Sequence, residues 1–282
     1  MTGLAPYSWF GGLNTMEMPI RSRLARKLAV VNQKGGVGKT TTAINLGTAL
    51  AAVGRKVLLI DLDAQGNAST GLGIDRATRD RTSYHLLVRA SGVGATIVPS
   101  AIPNLDIIPA SVELSGAELE LVELNPPQRQ LDEALRPVIH DYDFILIDCP
   151  PSLNLVTVNA MVAADAVLVP LQCEFFALEG LSQLLSTIER VRRTLNPKLE
   201  VQGIVLTMFD RRNRLSEQVA DDVRAHLGAK VYDTIIPRNV RVSEAPSHGR
   251  PALLYDHRCA GSQAYIQLAG EMLRRERRRP AA

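Results

Sequence analysis

The sequence predicts an α/β fold, a mainly parallel, twisted sheet with helices on both faces. Three observations predict it. Short runs rich in Val, Leu and Ile recur along the chain, each closed by Gly, Asp, Asn or Pro, as in strands buried on both faces. Between them lie stretches with apolar residues at helical spacing. Hydrophobic residues make up 46% of the chain and aromatic ones only 4%, so the core is aliphatic.

The elements follow in order. Residues 28–31 read as a first strand that stops at a glycine cluster. Residues 40–53 carry Ala43, Ile44, Leu46, Leu50 and Val53 at helical spacing, and Gly54 supplies the stop. Residues 56–61 are a second strand, completing a strand–helix–strand unit whose crossover favours parallel pairing. Further strands are expected over 105–108, 144–148 and 166–169, with helical patterns near 112–124 and 129–140. A long helix over 178–195, a strand over 202–207, a helix over 217–227, a mixed strand over 231–236 and a closing helix over 263–275 complete the reading. There is no internal repeat, long linker or composition break. One domain is therefore expected over 27–275, preceded by a disordered extension over 1–26 and followed by a basic tail over 276–282.

Composition excludes several classes. Net charge is only +3, so basic character is local: Arg211-Arg212-Asn213-Arg214, and the run around Arg274 to Arg279. Three widely spaced cysteines without a CxxC pair argue against a zinc site or a disulfide framework and fit a reducing cytoplasm. No stretch approaches the roughly 18 apolar residues of a membrane span. The N-terminus lacks the basic-then-apolar pattern of a secretory signal.

The most informative segment is Lys34-Gly35-Gly36-Val37-Gly38-Lys39-Thr40-Thr41. It lies between an expected strand and an expected helix, the context of a P-loop. Glycines let backbone N–H groups point at phosphate oxygens, and the following helix adds its positive end. Lys39 supplies a charge to the β- and γ-phosphates, and the Thr40 hydroxyl suits Mg²⁺. The first glycine of the general pattern is Gln33 here, and Lys34 follows it. A P-loop ATPase also needs an acid near Mg²⁺ and a group that orients water. Asp148 ends one expected strand and fits the Walker-B role; Asp61 and Asp63 end another.

These segments, with Gln172-Cys173-Glu174, Ala177-Leu178-Glu179-Gly180-Leu181 and Ile236-Pro237-Arg238-Asn239-Val240-Arg241, match in order and spacing. The chain resembles the ParA/Soj family of partitioning ATPases over nearly all of its expected domain. The resemblance implies a single-domain P-loop NTPase using ATP and Mg²⁺. It implies that Lys34 reaches the nucleotide of a partner subunit in an ATP-sandwich dimer. It implies that Asp63 orients the attacking water, with Asp61 on the metal side together with Thr40 and Asp148. Lys34, Lys39 and Asp63 are thus the catalytic candidates, and Gly35 to Thr41 hold the phosphates. Pro237, Arg238 and Asn239 resemble an adenine-contacting loop. The family's usual proline is Ala64 here, which frees a backbone angle that proline would fix. Cys149 and His248 read as structural.

Two functions compete. In the first, an ATP-bound homodimer binds double-stranded DNA without sequence preference, and a ParB-like partner stimulates slow hydrolysis and release. Arg212 and Arg241 match positions of DNA-contacting arginines in the family, and Arg211 and Arg214 extend that patch. This reading places the protein in the cytoplasm, on the nucleoid. The alternative is a membrane-surface regulator of cell division resembling MinD. It requires an amphipathic C-terminal helix, and the final segment offers only Met272 and Leu273 as bulky apolar residues, which favours DNA.

Overall fold

The computed structural model describes residues 24–279. Its strands are β1 (Arg26–Val30), β2 (Val57–Asp61), β3 (Val98–Pro99), β4 (Leu105–Ile108), β5 (Phe144–Asp148), β6 (Ala166–Gln172) and β7 (Glu200–Thr207). They form one sheet in the order β3-β4-β2-β5-β1-β6-β7. Every neighbouring pair is parallel except β3 against β4. Alternate side chains enter two cores, because successive strand residues point to opposite faces. Leu28, Val30, Val57, Leu59, Leu146 and Leu168 feed one. Ala29, Leu58, Ile60, Ile145, Ile147 and Val167 feed the other. A fully buried leucine of this kind contributes about 1.5–3 kcal/mol.

The helices in chain order are α1 (Lys39–Ala52), α2 (Asn67–Gly71), α3 (Ser83–Leu87), α4 (Val93–Thr96), α5 (Ala117–Leu121) and α6 (Gln130–Leu135), then α7 (Leu155–Ala163), α8 (Ala177–Thr194), α9 (Arg214–Leu227), α10 (Val240–Glu244), α11 (Ala252–Tyr255) and α12 (Ala260–Arg277). α1 and α12 cover the first face; α7, α8 and α9 pack on the second. Gly47 lets α1 approach the sheet closely, since a Cβ there would lie 3.3 Å from Leu146 Cδ1. α1 ends where Gly54 takes φ 81. The amides of Gly54 and Arg55 turn back to the carbonyls of Ala51 and Leu50 at 3.0 and 3.1 Å, satisfying the end of the helix.

Several expectations need correction. The strand expected over 231–236 does not form. Its amides meet β7 only at Tyr232 and Ile236, which donate to Ile204 and Leu206. Between them, the Asp233 and Thr234 amides turn to the Glu271 carboxylate of α12 at 3.0 and 2.9 Å. The helix expected near 112–124 is broken into a 3-10 turn over Val112–Ser115 and α5. The one near 129–140 ends in a 3-10 turn containing Pro137. α7 gives no amphipathic signal because nearly all of it is buried.

Both expected domain boundaries shift. Arg26 belongs to β1, and the Ala25 amide donates to Ile139 at 2.7 Å. α12 runs on to Arg277. Glu276 is buried there, with Arg26 Nε at 3.3 Å and a bond from Gln202 at 2.9 Å. Of the extension expected to be disordered over 1–26, residues 1–23 lie outside the described residues.

Candidate active site

Val30, Asp148 and Asp61 are register partners on three adjacent parallel strands. The chain therefore brings the loop after β1 and two acidic strand ends to one place, at the carboxyl edge where α/β sheets hold ligands.

In that loop Gly36 and Gly38 take φ 74 and 85, the left-handed region that glycine enters without Cβ cost. Gly38 leads directly into α1 with no side-chain cap, leaving the first amides of the helix as an anion site. The Val37 carbonyl accepts the Thr207 hydroxyl at 2.8 Å, which pins the loop to the end of β7. Lys39 is buried and folds back, its ammonium donating to the Lys34 carbonyl at 2.9 Å. Burial lowers its pKa, and Asp148 opposes that shift. Lys34 itself is half exposed and forms an ion pair with Glu174.

The two acids differ sharply. Both Asp148 oxygens are buried without a hydrogen-bond partner. Burial first, and then Asp61, push its pKa well up, while the nearby Thr40 hydroxyl opposes them. An unpartnered carboxylate beside a hydroxyl fits a hard cation such as Mg²⁺. Among the described residues no group of three or more His, Cys, Asp or Glu forms a metal cage. An ion here would complete its shell with substrate oxygens and water, as Mg²⁺ does. Asp61, in contrast, is fully engaged. One oxygen accepts the Asp63 amide at 3.2 Å; the other accepts the Ser69 amide and hydroxyl at 2.8 and 2.7 Å. Burial raises its pKa to about 6 although the Ser69 bonds pull it down. Asp61 thus shapes the loop that carries Asp63. Asp63 is partly exposed and accepts the Gln65 amide at 3.0 Å.

Pro237, Arg238 and Asn239 follow a parallel bridge between Phe209 and Pro237. Asn239 caps α10 by accepting the Val242 amide at 3.3 Å. Arg238 lines a cavity of about 270 Å³ with Glu174, Met208, Asp210 and Arg212. Of the three, Arg238 alone faces that space, and Asn239 builds the turn. Arg211, Arg212 and Arg214 are exposed just after β7, and Arg241 is exposed on α10. The Phe209–Pro237 bridge brings these two segments together. Arg212 grips Asp210 with Nε and Nη2 at 3.0 and 2.8 Å. Arg241 pairs with Glu244 at 3.2 Å and Asp256 at 3.8 Å.

Cys149 is buried, and burial raises its thiol pKa far above the ordinary value, so it is inert. His248 stacks on Tyr255 at 4.9 Å. Sequence reasoning missed Thr207, Ser69 and Asp210 as site-builders. Thr207 bonds a backbone carbonyl 170 residues away, and Ser69 and Asp210 bond nearby side chains at spacings that no motif marks.

The AAA domain family matches residues 25–201. The chromosome partitioning protein ParA of Caulobacter vibrioides is 65% identical over 258 residues, covering 91% of this chain and 97% of that protein. The sporulation initiation inhibitor protein Soj of Bacillus subtilis is 51% identical over 249 residues, 88% of this chain and 98% of its own. Among solved structures, the cobyrinic acid a,c-diamide synthase of Mycobacterium smegmatis, with a bound ATP analogue and magnesium, superposes with a TM-score of 0.80. It is 36% identical and covers 90% of this chain and 97% of that one. On its motifs, its sheet and these relatives, the chain belongs to the ParA/Soj family of P-loop chromosome-partitioning ATPases.

Proposed function

We propose that this ATPase acts as an ATP-dependent DNA-binding switch in chromosome or plasmid partitioning. ATP phosphates lie along Gly35 to Thr41, where backbone amides and the Lys39 ammonium meet them. Lys39 exchanges the Lys34 carbonyl for phosphate oxygens. Thr40 and Asp148 hold Mg²⁺, which neutralises charge developing on the phosphates. Asp61 holds the 61–69 loop, and Asp63 orients the attacking water. Lys34 leaves Glu174 to reach the nucleotide of a second subunit. Hydrolysis by the isolated protein is slow, and a ParB-like partner completes the site. The expected place of action is the nucleoid, in the cytoplasm.

The observation that carries the DNA reading is the run from Thr207 to Phe209. Thr207 holds the phosphate loop, and two residues on, Phe209 joins the two arginine segments. Nucleotide site and arginine patch therefore share the end of one strand. In a dimer two such patches act together, multiplying electrostatic affinity. The MinD-like alternative is disfavoured by α12: Met272 is completely buried and Leu273 packs against the same core, so neither is free to enter lipid. No helix of the described residues is long and apolar enough to cross a membrane.

The test is binding to random double-stranded DNA with ATP, with ADP and with neither, across a salt series. Binding only with ATP, weakened by salt, is the expected result. Absence of binding in all three states, with binding to anionic vesicles instead, overturns it.

A further inference from the structure

Ala64 removes a rigid residue from the segment between Asp63 and Gly66. The loop is built from three short bonds: Asp63 to Asp61 at 3.2 Å, Gln65 to the Asp63 carboxylate at 3.0 Å, and Gly66 to the Asp63 carbonyl at 2.8 Å. None of these bonds uses the Ala64 amide. From inside the fold, Asp61 holds the loop. From outside, one side chain ties its last residue, Gly66, to the segment that follows and to Ala110. Arg79 Nη1 donates to the Gly66 carbonyl at 3.4 Å and to the Ala110 carbonyl at 3.3 Å. Its Nη2 donates to the Thr70 hydroxyl at 2.9 Å and the Ile74 carbonyl at 2.7 Å.

Gly66 sits directly beneath this guanidinium. Its φ is 63, and a Cβ there would lie 2.4 Å from Arg79 Nη1. The contact requires glycine both for conformation and for space. A planar fork with fixed donors can bridge four acceptors on two chain segments at once; a lysine ammonium on a flexible stem cannot reproduce it. Arg76 adds a second hold by donating to the Gln65 carbonyl at 3.2 Å.

We infer that Arg79 is a positioning residue for ATP hydrolysis, clamping the 63–66 turn from outside so that Asp63 stays aligned without a proline at position 64. The inference rests on Asp63 as the water-orienting group. Arg79 makes no bond to the phosphate loop in this arrangement of contacts; its four acceptors lie on the 66–74 segment and at Ala110. Nucleotide binding and hydrolysis should therefore separate. Misplacement of a catalytic group by about 1 Å can cost on the order of a hundredfold in rate.

The experiment measures kcat and KM for ATP, affinity for a fluorescent ADP analogue, and melting temperature, on the full chain with Mg²⁺ and DNA. The variants are Arg79→Ala, Arg79→Lys, Asp63→Ala, Ala64→Pro and the double variant Arg79→Ala/Ala64→Pro. Arg79→Ala and Arg79→Lys should each lower kcat by between about tenfold and a hundredfold, with KM and ADP affinity essentially unchanged. Ala64→Pro in the Arg79→Ala background should restore most of the loss. Should Arg79→Ala fail to fold, Arg79→Lys carries the comparison. Parental kcat in both Arg79 variants overturns the inference, as does a loss of ADP affinity in step with kcat, or no recovery in the double variant. Full activity in Asp63→Ala would instead remove the reading beneath it.

Discussion

Asp61 and Asp148 are register partners on adjacent parallel strands, both buried, yet one accepts three hydrogen bonds and the other none. The same residue type at the same level of the sheet therefore does two jobs. Asp61 is part of the scaffold, and Asp148 is buried without a hydrogen-bond partner, which costs energy.

The pair makes opposite predictions for stability. Asp61→Asn keeps one acceptor oxygen where two are used, so an NH₂ group must face either the Asp63 amide or the Ser69 donors; the change should cost about 1–3 kcal/mol. Asp148→Asn removes a buried carboxyl with no hydrogen-bond partner, whose charged form burial disfavours, so the nucleotide-free protein should melt at or above the parent temperature. The same substitution should lower Mg²⁺-dependent ATP turnover by about a hundredfold or more. Thermal melts beside turnover assays check both outcomes.

Thr207→Val keeps the shape of the side chain but deletes the bond to the Val37 carbonyl. The expected stability loss is about 1 kcal/mol. The phosphate loop loses its tether to β7, so KM for ATP should rise more than kcat falls. Steady-state kinetics read that split directly.

The arginine patch is partly neutralised by its own neighbours. Hydrogen bonds from Arg212 hold the Asp210 carboxyl down at a pKa of about 2, so the pair stays charged throughout the working pH range. Asp210→Asn should free Arg212 and strengthen DNA binding several-fold. Arg212→Ala and Arg241→Ala should weaken it equally on all sequences. Each should flatten the salt dependence by about one unit of log–log slope if it removes one phosphate contact. Filter binding or anisotropy over a salt series measures all three.

Met272 is buried against the core. Met272→Ala should destabilise the protein by about 2–5 kcal/mol, as truncating a buried methionine does. Vesicle sedimentation should show no lipid binding by the parent chain. A parent that pellets with anionic vesicles would contradict the assignment of α12 to the core.

The strands and the phosphate loop were legible because their signals are local. Alternate burial on two faces leaves continuous apolar runs, and a left-handed turn demands glycine at positions such as 36 and 38. The strand expected over 231–236 was misread because its apolar pattern is real, but Glu271 of a distant helix captures two of its amides. α7 was missed for the opposite reason: with no polar face it has no helical period to detect. The places of Asp61 and Asp148 at the ends of two strands could be read from the sequence. Their unequal hydrogen bonding could not. Arg79 was invisible, since its four acceptors are three backbone carbonyls and one hydroxyl that no spacing marks.

The ion pair between Arg26 at the start of β1 and Glu276 near the end of α12 has a practical consequence for anything attached to this protein. It fixes the points where the chain enters and leaves the sheet side by side, at the opposite edge from the strand ends that hold the phosphate loop. Among the described residues, the first strand therefore begins, and the last helix ends, at that far edge. A short linker could close the two points into a circular permutant reopened at an exposed loop, without crossing the face where nucleotide and DNA are expected.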